Sequence, residues 1–214
     1  RVNLLTQAVT TQAGCTNYAV GGGRINNVSS AQDPRSITLQ LQQAAQVHGS
    51  YKSTDLLLVD GGGNDAADLA GAYLGATTEA GVATYRALLL SRLPATTVDA
   101  LFGQVNGPAL AGGAYMQALA DKFHDAIKAS ALDKGASKLV LLNMPDITLT
   151  PRFQAVLGAI TQQAGAAQAQ QAQGLIRQWV GAFNAQLASR FAGNTKVAIV
   201  DFYATQQDQT ANPA

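Results

Sequence analysis

Two short apolar runs in this chain end on three consecutive glycines: "CTNYAV" runs into Gly21, Gly22, Gly23 and Arg24, and "DLLLVD" into Gly61, Gly62, Gly63 and Asn64. Glycine lets a ligand approach the backbone closely, and an N–H at a strand end, without a ladder partner, can donate to that ligand. In a parallel sheet the carboxyl ends of the strands line one crevice, so two such ends on one edge suggest a shared site. The chemistry they suit is an oxyanion hole, with a backbone N–H from the first loop and the Asn64 side-chain amide converging on one developing negative oxygen. Either cluster alone is equally well explained as a tight turn after a strand; the pair is the more specific signal. Neither is a nucleotide motif. "GGGRIN" lacks the third glycine of a dinucleotide fingerprint, and neither triplet is followed by the Lys and Ser or Thr of a phosphate loop.

The other reactive side chains stand in ordinary contexts. His124, in "ADKFHDAIK", reads as a surface helix histidine between Asp121 and Asp125, and His48 as a residue at a helix end before "GSY". Ser29, Ser30, Ser50 and Ser53 sit in loops with no nucleophile elbow around them. Cys15 is the only cysteine, so no internal disulfide and no metal-ligand spacing exists, and no metal and no cofactor is expected.

The elements that must position Asn64 follow from the pattern of apolar residues. Strands are expected over 15–20, 55–60, 138–144 and 196–202, each short, apolar and followed by turn residues. Helix-like stretches lie between them, which predicts an α/β fold with a parallel sheet and helices on both faces. One helix should carry Met116, Leu119, Phe123 and Ile127 on a core face. Another should carry Leu175, Ile176, Trp179, Val180, Phe183, Leu187 and Phe191 and stop at Gly193 and Asn194. Residues 161–174, rich in Ala and Gln, read as a solvated helical arm. The excursion from Asp65 to Tyr115 contains Pro94, Pro108 and several glycines that break any continuous helix. It is a candidate lid or substrate wall, in which Leu101, Phe102 and Leu110 either face an acyl chain or pack the insertion onto the core.

The 214 residues suit one domain. Fourteen Lys and Arg against 13 Asp and Glu give a net charge of +1 with no basic stripe, which makes nucleic acid an unexpected partner. No apolar run reaches the length of a membrane span. Low charge, abundant Ala and Gln and a first half almost free of Lys suit a protein exported by a bacterium to its envelope or beyond. "RVNLLTQAVT" is neither a signal peptide nor a lipidation site and has no initiator Met, so a processed or truncated chain is expected.

In four ordered segments the chain resembles the GDSL or SGNH hydrolases, particularly bacterial secreted and autotransporter-type esterases and lipases. "NYAVGGGR" (17–24) is similar to the family's second block and "GGND" (62–65) to its third. "LLNMPDITLTP" (141–151) resembles a segment that often reads Pro-Asp followed by Thr-Pro, and "VDFYA" with "ANPA" the stretch before the last block. The resemblance covers essentially the whole chain. It implies a flavodoxin-like three-layer α/β/α sandwich and hydrolysis of carboxylic esters of small molecules or lipids by a serine nucleophile. Gly22 would be the backbone donor of the oxyanion hole and Asn64 the side-chain donor. Gly63 would keep the approach open, and Asp65 would order the turn through backbone N–H groups.

The departures from the family pattern matter as much. The Gly-Asp-Ser block that carries the nucleophile and the Asp-x-x-His block that carries the base have no counterpart here, so neither group is identified in this chain. The domain is accordingly expected to be incomplete at both ends, with missing peptide segments or an autotransporter or other domain in the whole protein. In the order this family uses, the first strand lies between those at 15–20 and 55–60. Its loss would leave two edges facing a slot, each orphaned backbone group costing on the order of 1–3 kcal/mol. Three readings stay open: an ester hydrolase completed by a Ser and a His, a silent binding or assembly module on the same scaffold, and an acyltransferase.

Overall fold

The computed structural model describes residues 14–30 and 32–212; "RVNLLTQAVT" and the last two residues of "ANPA" lie outside that span. The elements in chain order are α1 (Ile37–His48), β1 (Leu57–Val59), α2 (Gly63–Leu74), α3 (Glu79–Leu90), α4 (Ala95–Phe102), α5 (Gly107–Ser130), β2 (Leu139–Leu142), α6 (Pro151–Ala164), α7 (Ala166–Arg190), β3 (Val197–Val200) and α8 (Phe202–Ala211). The sheet order is β1-β2-β3, all parallel, with Leu57, Leu139 and Val197 in register. Parallel strands need crossovers, and the helical stretches between the strands supply them. The α/β class and the parallel sheet expected from the sequence are therefore present.

Side chains alternate across the sheet. Leu57, Val59, Leu139 and Leu141 face the core, whereas the opposite row includes Leu58, Ala198 and Val200, which are exposed among the described residues. The helical stripes fall where their spacing places them. Met116, Leu119, Phe123 and Ile127 of α5 are fully buried and α5 packs along α7, whose Ile176, Trp179, Val180, Phe183 and Leu187 are buried in turn. The Phe123 and Phe183 rings stack with centroids 6.4 Å apart. Pro94 and Pro108 mark helix starts, so the excursion after Asp65 becomes the separate helices α2, α3, α4 and α5.

One expectation is refined and one corrected. Residues 161–174 are helical and mostly exposed, as expected, but they finish α6, turn at Gly165 and begin α7, where Ala169 is buried and Gln173 donates to Thr148. Residues 15–20 form no strand, and the physical reason is the lack of a neighbour. The outer edge of β1 faces a cavity of about 770 Å³ whose walls are the extended segment 16–19 and residues 54–60, with Ile37, Leu41 and Ala44 of α1 behind. Leu57 donates to Lys138 on the β2 side (3.0 Å), so the N–H and C=O of Leu58 point into that cavity. Leu58 is 71% exposed and Leu56 58%. One strand edge, that of β1, faces this cavity.

Candidate active site

The site is assembled at the carboxyl end of β1. Gly61 follows the strand where a Cβ would come within 2.7 Å of Ile37 Cδ1. Gly62 caps α2 at φ 98°, where a Cβ would stand 2.5 Å from Met144 Cε. A left-handed backbone and a filled core thus both demand glycine at position 62. Gly63 is different, since a Cβ there would meet nothing nearer than Ile147 at 4.0 Å, so that side of the helix start has room. Gly62 in this conformation lets α2 begin at once, which puts Asn64 and Asp65 in its first turn beside the positive end of the helix dipole.

The loop after residue 20 lies across that helix start. Gly22 is left-handed (φ 80°), and the N–H groups of Gly22 and Gly23 have no hydrogen-bond partner among the described residues. Asn64 Nδ2 donates to the Gly23 carbonyl at 3.1 Å. An amide has two N–H bonds, and the second of Asn64 has no acceptor among the described residues, so it is free to point at a ligand.

Three carboxylate contacts fix the loop. Ile25 N–H donates to Asp65 Oδ2 (2.9 Å) and Asn26 N–H to Asp65 Oδ1 (2.7 Å). Arg24 forms a two-pronged pair with Asp68, Nε to Oδ2 at 2.5 Å and Nη2 to Oδ1 at 3.0 Å, while its Nη1 donates to Gly22 O. Asp65 is 2% exposed. Burial pushes its carboxyl up to about 6, the Asn26 and Ile25 N–H groups pull it down, and Asp68 adds a smaller upward push. Behind the loop, Asn26 Nδ2 donates to Ser91 Oγ (2.7 Å) and Tyr115 OH (3.1 Å) and its Oδ1 accepts from Lys122 Nζ (3.1 Å).

The pair proposed from the sequence, Gly22 and Asn64, is therefore brought together, with Gly63 beside it. Leu101 and Phe102 are half-buried and packed against the core; the Phe102 ring lies 6.3 Å from that of Tyr85, with Arg86 over its face. Neither lines the slot beside β1. The sequence reading missed Asn26, Lys122 and the reach of Asp65 across to the first loop. The available signal was the pair Asp65 and Asp68, three residues apart on one helix face, opposite the lone Arg24 of the glycine loop.

The two histidines are otherwise engaged. His48 Nε2 is 3.3 Å from Tyr18 OH, and His124 Nδ1 lies 2.9 Å from Asp125 and beside Arg190. Among the described residues no serine hydroxyl is hydrogen-bonded to a histidine, and no cluster of three His, Cys, Asp or Glu could hold a metal ion. No helix among them is long and apolar enough to cross a membrane.

Asn64 Nδ2 and the Gly22 N–H, without a partner among the described residues, stand at the carboxyl end of a parallel strand, between two glycine loops, on an α/β scaffold. Comparison with protein families names the class: the GDSL-like lipase/acylhydrolase model matches residues 2–214, and the chain belongs to that family. The mostly helical α/β structure with its parallel sheet is consistent with the family's α/β/α fold, and acyl-ester hydrolysis is the activity the family supports. No curated protein and no solved structure matches the chain.

Proposed function

We propose that the protein hydrolyses carboxylic esters through an acyl-enzyme, with Gly22 N–H and Asn64 Nδ2 as the oxyanion donors. A serine Oγ attacks the acyl carbonyl, a histidine takes its proton, and the negative charge on the former carbonyl oxygen is held by the two donors. The histidine proton then goes to the departing alkoxide, and water repeats the sequence on the acyl-serine to release the acid. The observation that carries this reading is the free second N–H of Asn64 held one residue from the unpaired Gly22 N–H.

No serine and histidine are paired among the described residues, and the slot beside β1 is where a strand bearing the serine would fit. Such a strand would pair with Leu58 and end level with Gly61, next to the oxyanion donors. Substrates are small-molecule or lipid esters. An exported or envelope location suits such substrates. An alcohol in place of water would make the same site an acyltransferase.

The second reading, a silent binding or assembly module, is favoured by one observation, the lack of a Ser–His hydrogen bond among the described residues. A serine-reactive phosphonate separates the two. Covalent labelling of the full-length protein at one serine, abolished by prior boiling, supports the hydrolase; no labelling supports the silent module.

A further inference from the structure

The two halves of the oxyanion hole come from different parts of the chain, and something must fix the gap between them. Asn64 rides on α2, whose start is set by Gly62 and the core. Gly22 rides on a loop between the slot beside β1 and α1, tied to the start of α1 at Arg24, whose N–H donates to Arg35 O (2.8 Å) and whose carbonyl accepts from Ile37 N–H (2.9 Å). Asn64 itself holds this loop by one neutral hydrogen bond to Gly23 O. A single such bond, made by the group that must also serve the substrate, is a weak tether.

We propose that Asp65 is the positioning residue of this site, its carboxylate clamping the Ile25 and Asn26 N–H groups so that Gly22 N–H is presented at a fixed place beside Asn64 Nδ2. Several observations converge on this. Asp65 is the residue immediately after Asn64, so both act from one rigid helical turn. Its two oxygens each take a separate backbone N–H from consecutive residues, which fixes both position and tilt of the loop. The carboxylate is buried, where such bonds are strong and water does not compete. The loop continues from Ile25, fully buried, through Arg24 to Gly22, and the Arg24–Asp68 pair with Arg24 Nη1 on Gly22 O transmits the constraint to the donor.

Keeping a carboxylate here is costly to the fold. An apolar or neutral side chain would avoid desolvating a charge, yet only an ionised carboxylate accepts two N–H bonds on two oxygens at once. That expenditure makes sense at a site whose geometry matters. The charged and titratable groups that face Asp65 are Asp68 on its own helix, Arg24 on the loop, and Lys122 and Tyr115 on α5, with Arg92 after α3 acting on Lys122 and Tyr115. Lys122 has its ammonium form disfavoured by burial and by Arg92, and Tyr115 is pushed up to about 12 by burial.

The inference rests on the ester-hydrolase reading for its kinetic arm and stands without it for its structural arm. The test is Asp65→Asn in the full-length protein. Its amide would still accept one N–H but would turn an NH2 toward the other. Protection of the Ile25 and Asn26 amides against hydrogen exchange, corrected for intrinsic rate, should fall at least tenfold at pH 7.5. In the wild type the same protection should fall as pH is lowered through about 6. On an ester substrate, kcat should fall at least tenfold with KM within about twofold. Asp68→Asn, which keeps the buried carboxylate and loosens only Arg24, should give a smaller fall in kcat and unchanged protection at Ile25. Unchanged protection and unchanged kcat in Asp65→Asn overturn the proposal. If the wild type turns over no ester, the hydrolase reading fails and the exchange data alone judge the clamp.

Discussion

Asn64 and Gly23, 41 residues apart, meet through a 3.1 Å hydrogen bond from the side-chain amide of one to the carbonyl of the other. This contact joins the loop after residue 20 to the glycine-rich end of β1. It orients the Asn64 amide so that one N–H is occupied by the protein and the other is left for a ligand. The helix dipole of α2 adds to the positive potential at that second N–H.

Gly62 should tolerate no side chain. Gly62→Ala places a methyl against Met144 and Phe183 on a backbone at φ 98°. Left-handed strain of about 1–2 kcal/mol and overpacking of about 1–3 kcal/mol add up to roughly 3 kcal/mol of lost stability. Denaturant titration checks it. Gly63→Ala, with open space on its protein side, should cost less than about 1 kcal/mol and instead raise KM if the substrate passes there.

Stability should rise on mild acidification. The Asp65 carboxyl is raised from 3.8 to about 6 by burial, so the folded protein binds a proton more tightly than the unfolded chain. Unfolding free energy from this group therefore increases as pH falls through 6 and levels off below the unfolded value. From pH 7 to pH 5 the gain is about 1 kcal/mol. Asp33, held well below the usual carboxylate range by Arg35, contributes stability that is present above 3.8 and lost only at lower pH, outside this window. Urea titrations at the two pH values should show the gain in the wild type and not in Asp65→Asn. A flat profile in the wild type speaks against a buried, ionised Asp65.

Leu58 reports on the slot. On the surface described here it is 71% exposed, and a substitution at such a position ordinarily changes stability by less than about 0.5 kcal/mol. If a strand pairs beside β1 in the full-length protein, Leu58 becomes an interior residue of the sheet. Leu58→Lys should then cost on the order of 2 kcal/mol or more. A near-neutral result by thermal unfolding argues that the edge stays open.

Much of this was legible in the sequence for identifiable reasons. The helices α5 and α7 carry their buried rows at regular spacing, and long periodic elements are dictated locally. Strands β1, β2 and β3 were announced by short apolar runs ending in turn residues, though each proved shorter than its run. Residues 15–20 show the limit, because a strand is a property of a pair: with no partner beside it, an apolar run stays extended and unassigned. The same logic holds at the site. Glycines and Asn64 could be picked out by type and position, whereas the Asp65 clamp depends on a chain reversal that brings residues 25 and 26 over α2, and no local pattern encodes that.

The central claim is that Asn64 stabilises a developing oxyanion, and Asn64→Ala in the full-length protein tests it most directly. Removing one such donor from an acyl-transfer site costs about a hundredfold or more in kcat, with KM nearly unchanged because the ground-state carbonyl gains little from it. The account predicts that loss on an aryl ester, in a variant that keeps the wild-type unfolding temperature to within a few degrees. A variant that turns over the ester at the wild-type rate contradicts it.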